Sequence, residues 1–525
     1  MRLKRQLTLG LIGLGALAAA ASVAALGLMR PAPVPSPAAA VSAPASPPGS
    51  FVAAAAAGAS TRLAALAPAL FPVLLGDVPH EEQLPDFCGE ACATMWLRKL
   101  GHGGDQRWLY DQSGLDPSEG RGVYAQELLQ ALTRIGFRTG PGWNAVPTGA
   151  SAVPRLEALF RELHADLVRG VPSIVCMRYD EAPDTTEHFR LILGYDPARD
   201  EVLYHEPAAA RGAYQRMPRA RFLSLWPLYD RSDPEAEGIV VRLRLEGTPT
   251  PRAAAAPPGA RTPADYAQHV HALKARLPRG FHVRVMPPFV VLWDSDDPAM
   301  ARSAELSVSW SVTQLKSLYF PDDPDEIINV WLFKDEDSYN RHLKELFREE
   351  PDTPYGYYSP RHRALFMNIE TGLGTLVHEI VHPFMHKNFP AAPAWFNEGL
   401  GSLYEQCDER DGRIIGRTNW RLEGLQRAIR AGRLPSFRSL TAASRDDFYS
   451  GRRAATGYGQ ARYLLYYLQE QGLLQTYYRR FHAAQEQDPT GLVTLQKVLG
   501  LRDEGELAGF QRRWETWVLG LEFSP

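Results

Sequence analysis

The spacing of apolar residues along the chain predicts both helices and buried strands. Apolar positions recur at helical spacing in the segment CGEACATMWLRKLG, which begins at Cys88 and ends at Gly101, and again over residues 264–277. Continuous apolar runs bounded by turn residues predict buried strands instead. Such runs lie at residues 171–178, 189–195, 283–293 and 327–333. The pattern therefore predicts a mixed α+β fold.

Two segments rich in Pro and Ala interrupt these patterns and predict the domain boundaries. Residues 31–59 and 248–263 lack hydrophobic periodicity, which is typical of flexible, partly extended linkers. They separate two bodies, 60–247 and 264–525, in a chain whose 525 residues suit two or three domains. In the first body a helix precedes the strands. In the second, a helix and the strands come first and mainly helices follow.

The first 30 residues differ in composition from the rest of the chain. Three cationic residues lie within the first five positions, and residues 7–29 are apolar and rich in Leu, Ala and Gly. This pattern is typical of an export signal, although the apolar run is also just long enough to span a bilayer. A cleaved signal peptide and an uncleaved anchor therefore both stay open. We expect an exported protein, periplasmic or extracellular, or anchored to the inner membrane.

Overall composition narrows the class of partner. The net charge is −3, and basic and acidic residues are interspersed, so the chain lacks the basic face that nucleic acid requires. Four cysteines in a chain of this length do not form a disulfide scaffold. Cys92 either packs or pairs with Cys176, and Cys407 is expected to be a structural thiol. Composition leaves the oligomeric state open.

The segment TLVHEIVHPFMH contains the first candidate metal site. His378 and His382 are four residues apart, so a helix projects both from one face, as two ligands of a tetrahedral ion require. Glu379 then points beside the metal, where a carboxylate can accept a proton from the attacking water. Pro383 follows directly and predicts a kink, because proline removes a backbone donor inside the helix.

A third ligand is predicted in the segment PAWFNEGLGSLYEQ. Pro393 opens a helix there, and Glu398 lies 16 residues beyond His382, a spacing that permits a helix-turn-helix. A lone HExxH string arises often by chance, but a second helix bearing Glu makes a zinc site the favoured interpretation. His386 is an alternative ligand one turn further on, although a surface position is favoured for it.

HEIVH followed by WFNEGL resembles the gluzincin metallopeptidases, in which two His and a downstream Glu hold zinc. The other large class of zinc peptidases places Gly and His at positions that are held here by Met385 and Asn388. The resemblance covers roughly residues 264–480 by element order. It implies a zincin domain that binds one Zn²⁺ and hydrolyses peptide bonds in a peptide or protein substrate.

The segment GYGQARYLLYYLQEQG resembles a late helix of the same domains, in which a tyrosine faces the metal cleft. Tyr458 is the matching position, and its hydroxyl would stabilise the oxyanion of a tetrahedral intermediate. A packed aromatic in an amphipathic helix is the alternative. Asn397 is either an outer partner of the metal ligands or an ordinary position on the helix surface.

The first body carries residues typical of thiol chemistry. Gln83 precedes Cys88, which lies at the start of a predicted helix, where the helix dipole favours a thiolate. The predicted strands are able to place His188 and Glu206 on the sheet facing that helix, which would form a triad with Gln83 as oxyanion donor. His205 is expected to face the other way, at an exposed strand position.

Residues 83–207 resemble the papain-like peptidases that process bacteriocins at double-glycine leaders. The resemblance implies Cys88 as nucleophile, His188 as base and Glu206 as orienting carboxylate, where that family usually has Asp. Glu90 replaces the proline that is common after Cys-Gly, which puts an anion two residues from the sulfur. That anion is expected to favour the helix and to oppose the thiolate.

The sequence as a whole predicts an exported peptidase with a papain-like domain followed by a gluzincin-type zinc domain. Both would hydrolyse peptide bonds, one through zinc and one through a thiol. A first alternative makes the N-terminal domain a degenerate module that binds a peptide or an envelope partner and targets the zinc enzyme. A second alternative makes the whole chain a non-catalytic envelope scaffold.

Overall fold

The structure is a computed structural model, and it describes the following residues: 70–230, 233, 236–250, 259–351, 353–449 and 454–523. The predicted signal or anchor at 1–30 and the linker at 31–59 lie outside the described residues, as do positions 251–258 of the second linker. Within the described ranges, no helix combines the length and apolar character that crossing a membrane requires.

The first domain is built on an antiparallel sheet in the spatial order β2-β7-β3-β4-β5-β6, with β1 paired to β4. Its strands are β1 Val73–Leu74, β2 Gly142–Val146, β3 Ser173–Arg178, β4 Glu187–Asp196, β5 Glu201–His205, β6 Gln215–Pro218 and β7 Gly238–Arg244. Its helices are α1 Cys88–Lys99, α2 Gln106–Ser113, α3 Ala125–Arg134, α4 Ala152–Val168 and α5 Arg219–Leu225. The predicted helix at Cys88 and the two predicted strands are thus observed.

Alternate residues of the central strands face two separate cores. On β3, Ile174 and Cys176 pack with α1 and α3, whereas Val175 and Met177 pack with α4 and α5. This alternation follows from the two-residue repeat of a strand and explains why the four central residues of β3 are all apolar. Helix α1 therefore lies against one face of the sheet and presents Cys88 to β4.

The second domain combines a five-stranded sheet with a helical region. The strands of its sheet are β8 His282–Met286, β9 Phe289–Trp293, β10 Ile328–Phe333, β11 Gly356–Ser359 and β12 Ala364–Asn368, and a separate hairpin holds β13 Cys407–Arg410 and β14 Arg413–Gly416. Its helices are α6 Pro263–Lys274, α7 Pro298–Leu318, α8 Glu336–His342, α9 Gly374–Asn388, α10 Ala394–Leu403, α11 Arg421–Arg430, α12 Phe437–Thr441, α13 Arg445–Tyr449, α14 Ala454–Glu470, α15 Leu474–Ala483, α16 Leu492–Leu499 and α17 Glu504–Leu519. The sheet order is β11-β12-β10-β9-β8, in which β9, β10 and β12 are parallel and both edge strands are antiparallel.

The single strand predicted at 283–293 is wrong, because two strands occupy this segment. β8 and β9 pair antiparallel, and Met286 lies opposite Phe289. Pro287 and Pro288 separate them. Proline has no N–H to donate to a sheet ladder, so two in succession end the first strand and start a turn.

Helix α6 belongs to both domains rather than to the second alone. Ala264 and Ala267 pack in the core of the first domain, whereas Val270 and Leu273 pack in the core of the second. The backbone N–H of Ala264 also donates to Asp111 of α2, at 2.9 Å. The predicted boundary at residue 263 therefore falls at the start of a shared helix, which joins the two domains by direct packing.

Helices α9 and α10 lie in contact at the centre of the second domain. Ile380 and Phe384 of α9 are buried in its main core, and the helix runs without interruption past Pro383. A Cβ at Gly401 of α10 would lie only 3.1 Å from the ring of His378. The glycine therefore permits a close approach that brings the polar side chains of the two helices together.

Candidate functional sites

Two imidazoles and one carboxylate converge where α9 meets α10. Nε2 of His378 lies 3.2 Å from Oε2 of Glu398, and Nε2 of His382 lies 3.8 Å from Oε1 of the same carboxylate. The two rings are 4.9 Å apart, centroid to centroid. Ligand atoms about 2.0–2.1 Å from a tetrahedral zinc ion are about 3.3 Å from one another. The three side chains therefore fit a zinc ion, and Pro383 does not turn His382 away from the others.

Glu379 is a second carboxylate at the same place. One carboxylate oxygen of Glu379 and one ring nitrogen each of His378 and His382 all lie within 4.8 Å of one another. Oε2 of Glu379 accepts a hydrogen bond of 2.9 Å from the backbone N–H of Tyr358 on the edge strand β11. Either carboxylate is thus close enough to ligate a metal, and their electrostatics distinguish them.

The two carboxylates differ in how readily they ionise. Burial opposes ionisation of Glu398, but the charges of His382 and His378 outweigh it and lower the pKa to about 2. Burial raises the pKa of Glu379, and its neighbours do not fully offset that effect. A permanently ionised carboxylate is the better metal ligand, and one with a raised pKa is the better proton acceptor.

An outer layer of polar groups holds these side chains. Nδ1 of His378 lies 3.1 Å from Oε1 of Glu405, which forms a salt bridge of 2.6 Å with Arg421. Nδ1 of His382 lies 3.2 Å from Oδ1 of Asn397. Such contacts fix the ring orientation of metal-ligating histidines. Sequence reasoning missed Glu405, although its position seven residues after Glu398 was an available signal for a carboxylate near the same site.

Two tyrosines lie beside Glu398. The hydroxyl of Tyr449 donates to Oε1 of Glu398. Tyr458 is half-buried, and its ring centroid lies 6.4 Å from that of Tyr449 and 5.0 Å from the guanidinium of Arg421. The predicted oxyanion donor Tyr458 therefore lies beside the cluster and also interacts with Glu398, whereas Tyr449 was missed. His386 is exposed, as favoured from the sequence.

Cys88 is the first residue of α1 and is half-buried against β4. Its sulfur accepts a hydrogen bond from the backbone N–H of Phe189, which neighbours His188. No hydrogen bond of the described residues joins Cys88 to His188 itself. All four cysteines are free thiols, so Cys92 and Cys176 pack in the core and are not paired.

The electrostatics at Cys88 contradict the expected thiolate. Burial raises the pKa of the thiol to about 12, and the charges that Glu90 and Asp86 carry at high pH add to this effect. The dipole at the start of α1 is equivalent to only about half a charge, and it does not compensate for the lost hydration. Cys88 is therefore a neutral thiol near pH 7 in this environment.

Glu90 is not the anion that the sequence predicted. Its side chain is fully buried, and Oε1 accepts a hydrogen bond of 3.0 Å from the backbone N–H of Val123. Burial raises the pKa of Glu90 to about 8, so the carboxyl is largely protonated at pH 7. It supports the loop before α3 as a neutral group.

Replacing Glu90 with Gln is expected to stabilise the first domain under alkaline conditions. The raised pKa of Glu90 costs stability progressively between its unfolded pKa near 4.5 and its folded pKa near 8. The free energy of unfolding of Glu90→Gln should therefore exceed that of wild type by about 2 kcal/mol at pH 8, after the cost of an unpaired amide proton. Urea unfolding at pH 4 and pH 8 measures this. Equal stability of both proteins at pH 8 would contradict it.

Glu206 directly follows β5, and Gln83 is bonded to the residue after Glu206. Nε2 of His188 is 2.5 Å from Oε1 of Glu206, so the predicted histidine and carboxylate are paired. The backbone N–H of Gln83 donates to the carbonyl of Pro207, at 2.9 Å. Oε1 of Gln83 is buried and has no hydrogen-bond partner among the described residues. The structure thus pairs His188 with Glu206 and holds Gln83 at Pro207, while the thiol of Cys88 is bonded to the backbone of Phe189.

His205 was predicted to be exposed, and this is wrong. It is fully buried, with Nδ1 at 3.2 Å from the sulfur of Met95 and its ring edge-on to Tyr214 at 4.6 Å. Burial and the neighbouring His80 lower the pKa of His205 to about 4. Although β5 is near the sheet edge, its inward face is covered by α1 and by the segment around His80.

Acid should therefore destabilise the first domain through His205. The unfolded chain protonates this ring near pH 6.5 but the folded chain only near pH 4, so stability falls as the pH drops between those values. The loss is about 3 kcal/mol at most. His205→Phe, measured by urea unfolding at pH 7 and pH 4.5, should lose less stability than wild type. The exposed His386→Gln serves as control, and equal losses in wild type and His205→Phe would refute the expectation.

Comparison with known proteins identifies the first domain. Residues 75–233 match the Peptidase_C39 like family. No curated protein matches the chain. The match covers the thiol, the His188–Glu206 pair and strands β2 to β6. The N-terminal domain is therefore Peptidase_C39-like, which supports a peptidase that acts on peptide or protein substrates.

Proposed function

We propose that this protein is an exported peptidase whose C-terminal domain hydrolyses peptide bonds with one bound zinc ion. The observation that carries the proposal is the contact of one ionised carboxylate, Glu398, with both His378 and His382. Burying carboxylates and imidazoles together costs free energy unless they bind a charged partner. A divalent cation would be such a partner. The peptidase family of the first domain is consistent with a proteolytic role for the second.

His378, His382 and Glu398 would hold the ion, and Asn397 and Glu405 would orient the two rings. A bound zinc ion supplies Lewis-acid polarisation of the scissile carbonyl and acidifies water. Glu379 accepts the proton of the attacking water and returns it to the leaving amine, a task that suits a carboxyl with a raised pKa. The backbone N–H of Tyr358 holds Glu379 in place during this transfer.

The oxyanion that forms on the substrate needs a donor opposite the ion. Tyr458 is proposed for this role, because its hydroxyl interacts with Glu398 and therefore borders the cluster. Burial and the charge of Glu398 raise the pKa of Tyr458, so its hydroxyl keeps the proton that it must donate.

Two alternative functions are supported for the first domain. Thiol-dependent cleavage is supported by the family match and by the His188–Glu206 pair beside Cys88. A module that binds a peptide or envelope partner without cleaving it is supported by the burial that raises the pKa of Cys88 to about 12. We propose a thiol centre in which His188, paired with Glu206, accepts the proton of Cys88 as the thiol attacks, since the free thiol is protonated.

Cleavage of a peptide library by wild type, Glu379→Ala and Cys88→Ala tests both proposals. Each variant removes one proposed centre, so peptides that persist in one variant and vanish in the other assign each cleavage to its centre. We expect most cleavage to depend on Glu379. Cleavage that survives in the double variant would overturn the peptidase assignment of both centres, and activity unaffected by Cys88→Ala would favour the binding module.

A further inference from the structure

The carboxylate of Glu206 is shared between two side chains of the same strand. Oε1 lies 2.5 Å from Nε2 of His188, and Oε2 lies 2.7 Å from Nε of Arg190. His188 and Arg190 are two residues apart on β4, so both project from one face of the sheet. All three side chains are buried, so solvent does not loosen this contact.

The remaining nitrogens of Arg190 are also occupied. Nη1 donates to the carbonyl of Arg178 at 3.2 Å, and Nη2 donates to the carbonyl of Tyr179 at 2.9 Å. The guanidinium also lies 5.3 Å from the ring centroid of Tyr179 and 5.6 Å from that of Tyr204. A planar guanidinium that is hydrogen-bonded at each nitrogen has one orientation. The single ammonium group of a lysine does not reproduce these bonds.

We propose that Arg190 is a positioning residue of the thiol centre, which fixes Glu206 so that Glu206 orients His188 toward Cys88. The second oxygen of Glu206 has Arg190 as its only described partner, whereas the first also accepts from the N–H of Ala208 at 3.1 Å. Glutamate has one more rotatable bond than aspartate. Its added freedom is removed here by the bond to Arg190. The catalytic meaning of this inference rests on the proposed thiol function.

The orientation of His188 is measurable without any catalysis. In the full-length protein, nitrogen-15 NMR should show a proton on Nε2 of His188 that exchanges slowly with water, because Glu206 accepts it. In Arg190→Met, this signal should broaden or disappear. Arg190→Lys should restore it only in part. The matched control is Arg242→Met, since Arg242 is another buried arginine of the same sheet that pairs instead with Asp166.

The reactivity of Cys88 supplies the second readout. The rate of alkylation of Cys88 by iodoacetamide, followed by mass spectrometry between pH 6 and 10, should fall about tenfold or more in Arg190→Met, with an altered pH profile. Arg242→Met should stay within about twofold of wild type. If Arg190→Met does not fold, Arg190→Lys and Glu206→Asp carry the same test, since each retains charge but loses one contact.

The outcomes separate this inference from the proposed function. A His188 signal and a Cys88 pH profile that are unchanged in Arg190→Met would overturn the positioning role. Equal effects of Arg242→Met would overturn it too, since they would show a general loss of packing. If the NMR signal depends on Arg190 but wild-type alkylation is independent of His188, the positioning role stands and the thiol peptidase proposal fails.

Discussion

Glu379→Gln is expected to lower the peptide cleavage of the C-terminal domain by about 10²–10⁴-fold while the zinc content stays at one per chain. The amide has the shape of the carboxyl and still accepts the hydrogen bond from Tyr358, but it does not take up a proton. Only the proton transfer is lost. Cleavage rates at saturating peptide, with zinc content measured on the same samples, give this result.

The design of this test separates chemistry from structure. Glu423 is an exposed glutamate on α11, so Glu423→Gln controls for the general effect of removing one carboxylate. Activity above half of wild type in Glu379→Gln would remove Glu379 from the mechanism. Loss of zinc from this variant would instead identify Glu379, rather than Glu398, as the third ligand.

Glu398→Gln is expected to cause the largest loss of zinc affinity. It replaces an ionised carboxylate that contacts both imidazoles with a neutral amide. Removal of an outer partner typically lowers metal affinity by about 10–100-fold. Glu405→Gln should therefore lower zinc affinity by a factor in that range, and Glu398→Gln should lower it by more. Competition with a fluorescent zinc chelator at pH 7 measures both affinities.

Comparing Glu398→Gln with Glu405→Gln distinguishes a metal site from a merely structural cluster. A merely structural cluster would lose stability in both variants without an ordered change in zinc affinity. Unfolding temperatures of the zinc-free proteins therefore accompany each measurement. If Glu405→Gln weakens zinc binding more than Glu398→Gln, the assignment of ligand and outer partner is reversed.

Local periodicity accounts for the parts of both sites that the sequence predicted. His378, Glu379 and His382 lie within two turns of one helix, so their spacing alone places them on adjacent faces. Cys88 at the start of α1 follows from the same kind of pattern. Glu398 was also predictable from the sequence, because a short turn between two helices allows few relative arrangements of those helices.

The residues that the sequence did not reveal depend on how distant segments pack. Tyr449 reaches Glu398 from 51 positions along the chain, and Arg190 matters only because β3 and β5 flank β4. Burial of Glu90 and His205 has the same origin. Both are polar residues in patterns typical of exposed positions, and only the assembled core shows that they titrate abnormally.

The domain arrangement shows a similar limit. Pro and Ala composition predicted a linker ending at residue 263, yet α6 begins there and buries residues in both cores. Composition reports the flexibility of a segment but not what the next helix packs against. The two domains are therefore more closely joined than their linker indicates.

The most direct test of the zinc site is anomalous diffraction from crystals of the wild-type protein at the zinc absorption edge. We expect one strong peak about 2.0–2.2 Å from Nε2 of His378, Nε2 of His382 and a carboxylate oxygen of Glu398. Zinc-loaded crystals without a peak at these atoms, or with Glu398 turned away from it, would contradict the account.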